Sequence, residues 1–245
     1  MDPSQLIVMD NPAALYTRAA EEIVHFAGEA ICTHGEFTIC LTGGTTPAST
    51  YELLATRFRL SVDWKEVHFF WGDERCVPPD DPASNFGMAN RTMLSELALR
   101  PEQIHRMRGE DRPAEAADEY ERELRSFFHL EPPDVPSFNL VLLGLGENAH
   151  IASLFPRHLA LREKTRLAVS VEVEAMPSRR ISLTIPVINS TERVMFLVSG
   201  EKKAAAVREV LQGETDPDQY PAQLVKPLSN EIVWLIDKAA ASALA

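Results

Sequence analysis

A histidine follows a glycine-rich break near the middle of the chain. The segment from Phe138 to Pro156 opens with an apolar run, Leu140 to Leu143, which is short enough to be a buried strand. The run ends at Gly144 and Gly146, and His150 follows just past the strand end. Because ligands bind at the carboxyl ends of strands in open α/β sheets, this segment is a candidate active-site edge. The same residues fit equally well a strand-to-helix turn whose histidine is exposed to solvent.

A second candidate site is the turn Thr42-Gly-Gly-Thr-Thr-Pro47, which lies between a predicted strand and a predicted helix. Gly43 and Gly44 allow a tight turn that brings backbone N–H groups toward a ligand, and a helix N-terminus favours an anion. The hydroxyls of Thr45 and Thr46 add donors at the same place. The turn is a candidate phosphate cradle, although it has neither a Walker ending nor the dinucleotide glycine pattern. An ordinary capped turn fits it as well.

Charged residues follow two more strands. Asp73, Glu74 and Arg75 lie just beyond an apolar run. Asp73 or Glu74 could orient a substrate hydroxyl, and Arg75 could contact an oxyanion or phosphate. On these residues alone, an ion pair that fixes the following loop is the favoured interpretation. Lys203 lies in a first helical turn, where a cation is unfavourable unless an anion is near, and Arg180 opens another strand. Either could be a solvated surface charge, but a phosphorylated small molecule across the sheet edge would account for all of these groups.

The apolar spacing predicts the elements that position these residues. Residues 12–34 have the pattern of an amphipathic helix, with Asn11 as its cap and Pro12 at its first position. Other helices are predicted over residues 47–58, 86–97, 114–128 and 201–211 and just after Asp237. Strands are predicted over residues 37–41, 67–71, 104–107, 140–143, 167–173, 181–185, 194–198 and 232–236. This alternation predicts an α/β fold with a mainly parallel sheet covered on both faces, in a single domain over residues 1–245.

The composition of the chain excludes several classes of partner and of reaction. The 245 residues carry a net charge of −12, which argues against nucleic acid and anionic membrane as partners. No apolar run is long enough to span a bilayer, and the first residues lack a secretory signal pattern. For Cys32, Cys40 and Cys76, buried thiols in a reducing cytoplasm are the favoured interpretation. The histidines lack metal-ligand spacing and no Gly-x-Ser-x-Gly elbow is present, so neither a catalytic zinc nor a serine hydrolase is expected.

A set of motifs in order along the chain resembles the 6-phosphogluconolactonase family. The motifs are Thr42-Gly-Gly-Thr-Thr-Pro47, Trp71-Gly-Asp-Glu-Arg-Cys-Val-Pro78 with Ser84-Asn85, Gly144-Leu-Gly-Glu-Asn-Ala-His-Ile-Ala-Ser-Leu-Phe-Pro156, Arg180-Ile-Ser-Leu-Thr184, Gly200-Glu-Lys-Lys203, Pro221-Ala-Gln223 and Trp234-Leu-Ile-Asp-Lys-Ala239. Each is modest alone, but together they cover nearly the whole chain. The resemblance implies a Rossmann-like three-layer sandwich, shared with glucosamine-6-phosphate deaminase, that uses no metal or other cofactor.

The resemblance also implies a reaction, the hydrolysis of 6-phospho-D-glucono-1,5-lactone to 6-phospho-D-gluconate in the oxidative pentose phosphate pathway. His150 would be the general base that deprotonates the attacking water, and its protonated form could donate to the leaving ring oxygen. Arg75 would stabilise the oxyanion or the bound sugar acid, with Asp73 holding Arg75 or a substrate hydroxyl. The residues implied for the phosphate are Gly43, Gly44, Thr45, Thr46, Arg180 and Lys203. The expected protein is a cytoplasmic monomer or small homo-oligomer whose partner is this small molecule.

One motif departs from the family pattern. The family usually has Asp-Gly-His-Thr where this chain has Asn148-Ala149-His150-Ile151. An aspartate can orient the imidazole and raise its basicity, whereas Asn148 can accept a hydrogen bond but carries no charge. Ala149 needs a backbone angle that suits a residue with a Cβ, unless strain is tolerated.

Two other functions are compatible with parts of the sequence. Glucosamine-6-phosphate deaminase resembles this chain, but that family has a glutamate where this chain has Phe155 and Asp-Glu-Tyr where it has Asp73-Glu74-Arg75. Both differences favour the lactonase. A non-catalytic sugar-phosphate sensor is supported by Asn148 alone, and the presence of His150, Arg75 and Lys203 argues against it.

Overall fold

Six parallel strands form the central sheet of the computed structural model, which describes residues 4–245. In all, residues 4–245 contain nine strands: β1 (Ser4–Met9), β2 (Phe37–Leu41), β3 (Val67–Trp71), β4 (Asp73–Arg75), β5 (Leu140–Leu143), β6 (Ala168–Glu172), β7 (Arg179–Leu183), β8 (Val194–Val198) and β9 (Ile232–Asp237). The central sheet has the order β1-β9-β8-β5-β2-β3, and each neighbouring pair is parallel. The mainly parallel sheet predicted from the sequence is confirmed.

Helices flank this sheet, and the first shows how the sequence sets their ends. The α-helices are α1 (Pro12–His34), α2 (Thr45–Ala55), α3 (Asn85–Thr92), α4 (Pro113–Phe127), α5 (Ile185–Asn189) and α6 (Ala204–Leu211). The side chain of Asn11 accepts a hydrogen bond from the Ala14 N–H (3.0 Å) at the start of α1. At its other end Gly35 has a φ of +86° and donates its N–H to the Ile31 carbonyl (3.0 Å). The predicted bounds of α1 are confirmed.

Side chains alternate along the strands and build a core on each face of the sheet. On β5, Leu140 and Leu142 belong to one core, while Val141 and Leu143 belong to the other, and all four are buried. The first core packs against α1, α2 and α3, and the second packs against α4, α5 and α6. The chain therefore has the three layers predicted from its sequence.

A small antiparallel sheet, which the sequence does not predict, lies over the second core. Its order is β4-β7-β6. Val171, Ile181 and Leu183 of this sheet share one core cluster with Val141 of the central sheet. The Leu183 N–H also donates to the carbonyl of Gly72 (2.8 Å), which joins β7 to the end of β3. This sheet places β4 and β7 beside the carboxyl ends of the central strands.

Several predicted boundaries are wrong, for local reasons. Helix α2 begins at Thr45 rather than near Pro47, because Gly44, with a φ of +113°, ends the preceding extended segment there. It ends at Ala55 and leaves Phe58 outside. The predicted helix over 86–97 divides into α3 and a short 3₁₀ turn at Leu94–Glu96.

Other differences concern short segments. Residues 104–107 form no strand, since Ile104 makes only an isolated bridge to Phe69. The segment after Asp237 consists of turns rather than a helix. Strand β7 ends at Leu183 because α5 begins two residues later, and the sequence pattern does not predict α5 or β1. Cys32 is exposed rather than buried, whereas Cys40 is buried as expected.

Among residues 4–245, none of the helices combines the length and the apolar character that a membrane crossing requires.

Candidate active site

A cleft lies where the strand order of the central sheet changes direction. Strand β2 is followed by β3 on one side, and β5 is followed by β8 on the other, so the carboxyl ends of β2 and β5 flank a crevice. The cleft has a volume of about 220 Å³. Its lining residues are Thr42, Gly43, Gly44, Asp73, Arg75, Asn85, Gly144, Leu145, Gly146, His150, Ala152, Arg180 and Lys203. Strands β4 and β7, helix α3 and the segments after β2, β5 and β8 thus supply one site.

Most of the residues predicted for the site line this cleft. They are Gly43, Gly44, Asp73, Arg75, His150, Arg180 and Lys203. Asn148 does not line it but is hydrogen-bonded to His150. Thr45 and Thr46 are the first two residues of α2, directly after Gly44. The sequence-based selection therefore describes one connected region.

A tight turn places His150. The Gly146 N–H donates to the His150 carbonyl (2.9 Å), and the Ala149 N–H donates to the Gly146 carbonyl (3.0 Å). A Cβ at Gly146 would lie 2.0 Å from Nδ1 of His150, so only glycine leaves room for the ring. Ala149 has a φ of +62°, in the left-handed region that costs a residue with a Cβ about 1–2 kcal/mol. The chain tolerates backbone strain at Ala149 within the turn that holds His150.

Asn148 determines which ring nitrogen of His150 carries the proton. Its Oδ1 lies 2.6 Å from Nδ1 of His150 and also accepts the backbone N–H of His150 at 3.3 Å. Because both contacts involve the amide oxygen, which can only accept, Nδ1 is the protonated nitrogen. Nε2 of the neutral imidazole then has a free lone pair. The uncharged Asn148 thus performs the orienting part of the role that an aspartate would have.

The surroundings of His150 keep its imidazole neutral. Burial is the main cause that lowers the pKa of His150 from 6.5 to about 4, and the charges of Arg180, Lys203 and Arg75 lower it further. The ring also stacks on Phe155, with 4.1 Å between centroids and 13° between planes. At neutral pH the ring is therefore a proton acceptor rather than a cation.

Asp73 is held by two neighbours from different parts of the chain. Its Oδ2 accepts from the Ser153 hydroxyl (2.6 Å), and its Oδ1 accepts from Nδ2 of Asn85 (3.2 Å). The same Asn85 nitrogen donates to the Asp73 carbonyl (2.8 Å). A Cβ at Gly43 would lie 1.9 Å from Oδ1 of Asn85, so the glycine makes room for this side chain. Asp73 is thus fixed in the cleft wall near Arg180. Burial lowers the pKa of Arg180, and the nearby Asp73 opposes that shift.

The next carboxylate, Glu74, organises the loop beside the cleft. It is 2% exposed and accepts from the backbone N–H groups of Arg75, Asn85 and Phe86, at 2.7, 2.7 and 2.8 Å. The Ser84 hydroxyl donates to it as well (3.0 Å). Burial nevertheless raises the pKa of Glu74. The ion pair suggested by the sequence is therefore replaced by a carboxylate that binds backbone donors, and this fixes Arg75 and Asn85 together.

Two arginines face each other across the small sheet. Arg75 on β4 pairs directly with Arg180 on β7. The polar partners of these side chains, in the part of the chain that the structure describes, are the carbonyls of Ala83 (2.5 Å) and Pro177 (3.2 Å) rather than carboxylates. Nε of Arg75 is buried without a hydrogen-bond partner among residues 4–245. Like charges opposite each other destabilise a sheet, so this pair indicates a site for an anion.

Lys203 adds a third cation from another strand end. Asp237, at the end of β9, accepts from the Ser199 hydroxyl and from the Gly200 N–H (3.1 Å). These bonds hold the segment in which the Lys203 N–H donates to the Gly200 carbonyl (3.0 Å). Burial lowers the pKa of Lys203, and the charge of Glu147 raises it. Glu147 therefore acts on Lys203, while Asn148 is the group that contacts the imidazole.

Some contributors to the site were not singled out from the sequence. Ser153 binds Asp73, and Gly146 leaves room for the imidazole. The sequence gives a signal for Gly146, because a glycine four residues before a candidate catalytic histidine suggests close backbone approach. It gives none for Ser153, whose partner is 80 residues away. In the described residues no group of three His, Cys, Asp or Glu side chains is placed to hold a metal ion.

Comparison with known proteins agrees with this geometry. The family model described as glucosamine-6-phosphate isomerases/6-phosphogluconolactonase matches residues 10–234. A 6-phosphogluconolactonase of Synechocystis is 40% identical over 237 residues, which are 96% of each chain. The structure of 6-phosphogluconolactonase from Trypanosoma cruzi has a TM-score of 0.87 and 26% identity, covering 99% of this chain and 97% of that one.

A further solved structure shares the fold. A monomeric glucosamine-6-phosphate deaminase has a TM-score of 0.82 at 22% identity and covers 98% of this chain and 99% of that one. The Rossmann-like architecture is therefore common to both branches of the family. The family model matches most of the chain, and the 40% identity to the Synechocystis protein extends over nearly the full length of both chains. The chain therefore belongs to the glucosamine-6-phosphate isomerase/6-phosphogluconolactonase family.

Proposed function

We propose that this chain is a 6-phosphogluconolactonase, which hydrolyses 6-phospho-D-glucono-1,5-lactone to 6-phospho-D-gluconate. The observation that carries the proposal is the neutral imidazole of His150, with Nε2 free, in a cleft that also contains Arg75, Arg180 and Lys203. A base beside several cations suits a substrate that has both an electrophilic carbonyl and a phosphate. The names of its relatives support the same reaction.

In the proposed reaction His150 is the general base. Its Nε2 takes a proton from a water molecule whose oxygen attacks the lactone carbonyl carbon, and the carbonyl oxygen becomes an oxyanion. Arg75 stabilises that charge. The carboxylate of Asp73 is bound by Ser153 and Asn85 rather than by Arg75, and it orients a substrate hydroxyl. When the intermediate collapses, the bond from the carbonyl carbon to the ring oxygen breaks and the imidazolium returns its proton to that oxygen. General acid–base help of this kind typically contributes about 10²–10⁴-fold.

The phosphate is proposed to bind where the segment after β2 enters α2. Gly43 and Gly44 present the N-terminus of α2, where Thr45 and Thr46 have backbone N–H groups and hydroxyls. Among residues 4–245, no side chain caps this helix end at Gly44, so the N–H groups there are available to an anion. Arg180 and Lys203 supply the countercharge: they line the same cleft. Binding energy from the phosphate then orients the reacting carbonyl.

Location and assembly belong to the same proposal. The thiols of Cys32, Cys40 and Cys76 are free, which is compatible with a reducing cytoplasm. The net charge of −12 disfavours nucleic acid and anionic membrane as partners. We infer a cytoplasmic enzyme, monomeric or a small homo-oligomer, that acts on a small molecule without a metal or cofactor.

Freshly prepared lactone tests the proposed reaction. Formation of 6-phosphogluconate should be faster with the protein than in buffer, whose spontaneous rate is subtracted. Glucosamine 6-phosphate serves as the competing substrate and should release no ammonia, since Phe155 replaces the glutamate of the deaminases. Absence of any acceleration of lactone hydrolysis would refute the proposed function.

A further inference from the structure

Phe155 contacts His150 and Arg180 in the cleft but takes no part in the proposed proton transfers. Its ring lies parallel to the imidazole of His150, with 4.1 Å between the centroids and 13° between the planes. The guanidinium carbon of Arg180 lies 5.6 Å from the centroid of the same phenyl ring. One aromatic side chain therefore touches the base and one of the cations of the cleft.

A turn in the chain brings Phe155 back to His150. The Leu154 N–H donates to the Ile151 carbonyl (2.8 Å), and these two residues also form an isolated antiparallel bridge. Both side chains are fully buried, so the turn is anchored in the core. Ala152, inside the turn, has a φ of +45°, which a residue with a Cβ rarely adopts. The position of Phe155 is thus set by the fold rather than by a mobile loop.

The imidazole needs two constraints to keep one orientation. The hydrogen bond from Nδ1 to Asn148 fixes one nitrogen, but the ring could still swing about that contact. A phenyl ring against its face removes that freedom. Because Asn148 is uncharged, its bond to the imidazole is weaker than the bond to a carboxylate would be, and the stacked ring has a correspondingly larger part in holding the base.

We propose that Phe155 is a positioning residue for the reaction: its ring fixes the plane of the His150 imidazole and keeps Nε2 directed into the cleft. The inference rests on the proposed function and extends it to a residue outside the proton-transfer chain. The phenyl ring also excludes water from one face of the imidazole, and burial is the main cause of the lowered pKa of His150. Loss of the ring should therefore change both the orientation and the titration of the base.

Variants of Phe155 separate this role from simple packing. Phe155→Leu removes the flat surface, Phe155→Met does so with an unbranched, flexible side chain of similar volume, and Phe155→Tyr keeps the ring. Phe127→Leu is the matched control, because Phe127 is also half-buried and packs against a histidine ring, that of His105 at 4.7 Å, outside the cleft. Circular dichroism and thermal melting identify a variant that fails to fold, and Phe155→Met replaces Phe155→Leu in that case.

Phe155→Leu should lower kcat about ten- to hundredfold, the range expected when a reacting group is misplaced. KM should change little, because Arg180 keeps its bond to the Pro177 carbonyl. The acid limb of the kcat–pH profile and the pKa of His150 measured by NMR should both move upward. Phe155→Tyr and Phe127→Leu should resemble the wild type in all of these measurements.

A Phe155→Leu protein with wild-type kcat and an unchanged His150 pKa would overturn the inference, as would a Phe155→Tyr protein as impaired as Phe155→Leu. Failure of the proposed function looks different, since the wild type itself would then give no acceleration of lactone hydrolysis. The NMR titration of His150 needs no turnover, so it tests the effect of Phe155 in either case.

Discussion

The protonation state of His150 is set by its burial and by two kinds of neighbour. Asn148 holds the proton on Nδ1 without adding charge. Burial is the main cause that lowers the pKa of His150 and so disfavours a second proton, and the cations of Arg180, Lys203 and Arg75 lower it further. These effects act together, so Nε2 is a free base at neutral pH. A carboxylate at position 148 would oppose them, and this makes the departure from the family pattern measurable.

An NMR titration of His150 tests this state. The wild type should show a pKa of about 4, below the ordinary 6.5, and Asn148→Asp should raise it because a carboxylate stabilises the imidazolium. Since the folded pKa lies below the unfolded one, unfolding takes up a proton between pH 4 and pH 6.5. The contribution of His150 to the free energy of unfolding is therefore lost as the pH falls through that range. A wild-type pKa at or above 6.5 would contradict the assignment.

Gly146 has a steric role that a single substitution tests. Gly146→Ala places a Cβ 2.0 Å from Nδ1 of His150 and should displace the ring, with a fall in kcat on the order of 100-fold. Gly28→Ala is the control, because a Cβ at this position in α1 meets nothing within 4 Å. It should leave kcat unchanged and stabilise the fold by about 0.5–1 kcal/mol. Equal kcat in the two variants, at comparable circular dichroism, would exclude the steric role.

At the scale of elements, the small sheet places two positively charged side chains next to each other, and a bound anion reduces the repulsion between them. Arg75 on β4 and Arg180 on β7 are direct partners, and burial together with the charge of Arg75 lowers the pKa of Arg180. A bound phosphate or oxyanion between such side chains replaces repulsion with attraction. The antiparallel pairing of β4 with β7 is thus part of the site, because it places the two arginines side by side.

The variant Arg180→Met should therefore weaken binding of 6-phosphogluconate without lowering the stability of the free protein. The free variant should melt at the same temperature as the wild type or about 1–3 °C higher, because the repulsion is removed. The rise in Tm that 6-phosphogluconate causes in the wild type should be smaller in the variant, since the ligand no longer meets this cation. Differential scanning fluorimetry measures both quantities. A large loss of Tm in the free variant, or an undiminished ligand effect, would refute the role given to Arg180.

The sequence predicted elements with strong periodicity and clear ends better than short ones. Helix α1 was predictable because Asn11, Pro12 and Gly35 mark its ends and its apolar stripe is regular. Strand β4 was not, because three residues are too few to show alternation and their charges suggest a loop. The site residues at strand ends could be selected because parallel strands bring their carboxyl ends together. The bond from Ser153 to Asp73 depends on tertiary packing across 80 residues, which no local pattern encodes.

At the scale of the whole molecule, the two sheets share one core. Val171 and Ile181 of the small sheet pack in the same cluster as Val141 and Phe196 of the central sheet. Separate unfolding of either sheet would expose that cluster. The chain over residues 1–245 is accordingly proposed to be a single cooperative domain.

Calorimetry and urea unfolding test this cooperativity. One transition is expected, with the calorimetric enthalpy equal to the van't Hoff enthalpy and with coincident fluorescence and circular dichroism curves. Resolved transitions, or curves that differ between the two probes, would indicate that the small sheet unfolds independently.

The distribution of charge is also a property of the whole molecule. The chain has a net charge of −12, yet the cleft gathers Arg75, Arg180 and Lys203 around a neutral imidazole. Attraction of an anionic substrate is therefore local, and it comes from side chains on three different strand ends. The long-range field of the protein opposes approach of the anion, so the affinity depends on contacts made inside the cleft.

The most direct measurement compares lactone hydrolysis by the wild type and by His150→Ala, with 6-phosphogluconate binding to each followed by calorimetry. If His150 activates the water, His150→Ala should lose about 10²–10⁴-fold in kcat and still bind 6-phosphogluconate, because the phosphate contacts remain. A His150→Ala protein that hydrolyses the lactone at the wild-type rate would show that the base is another group.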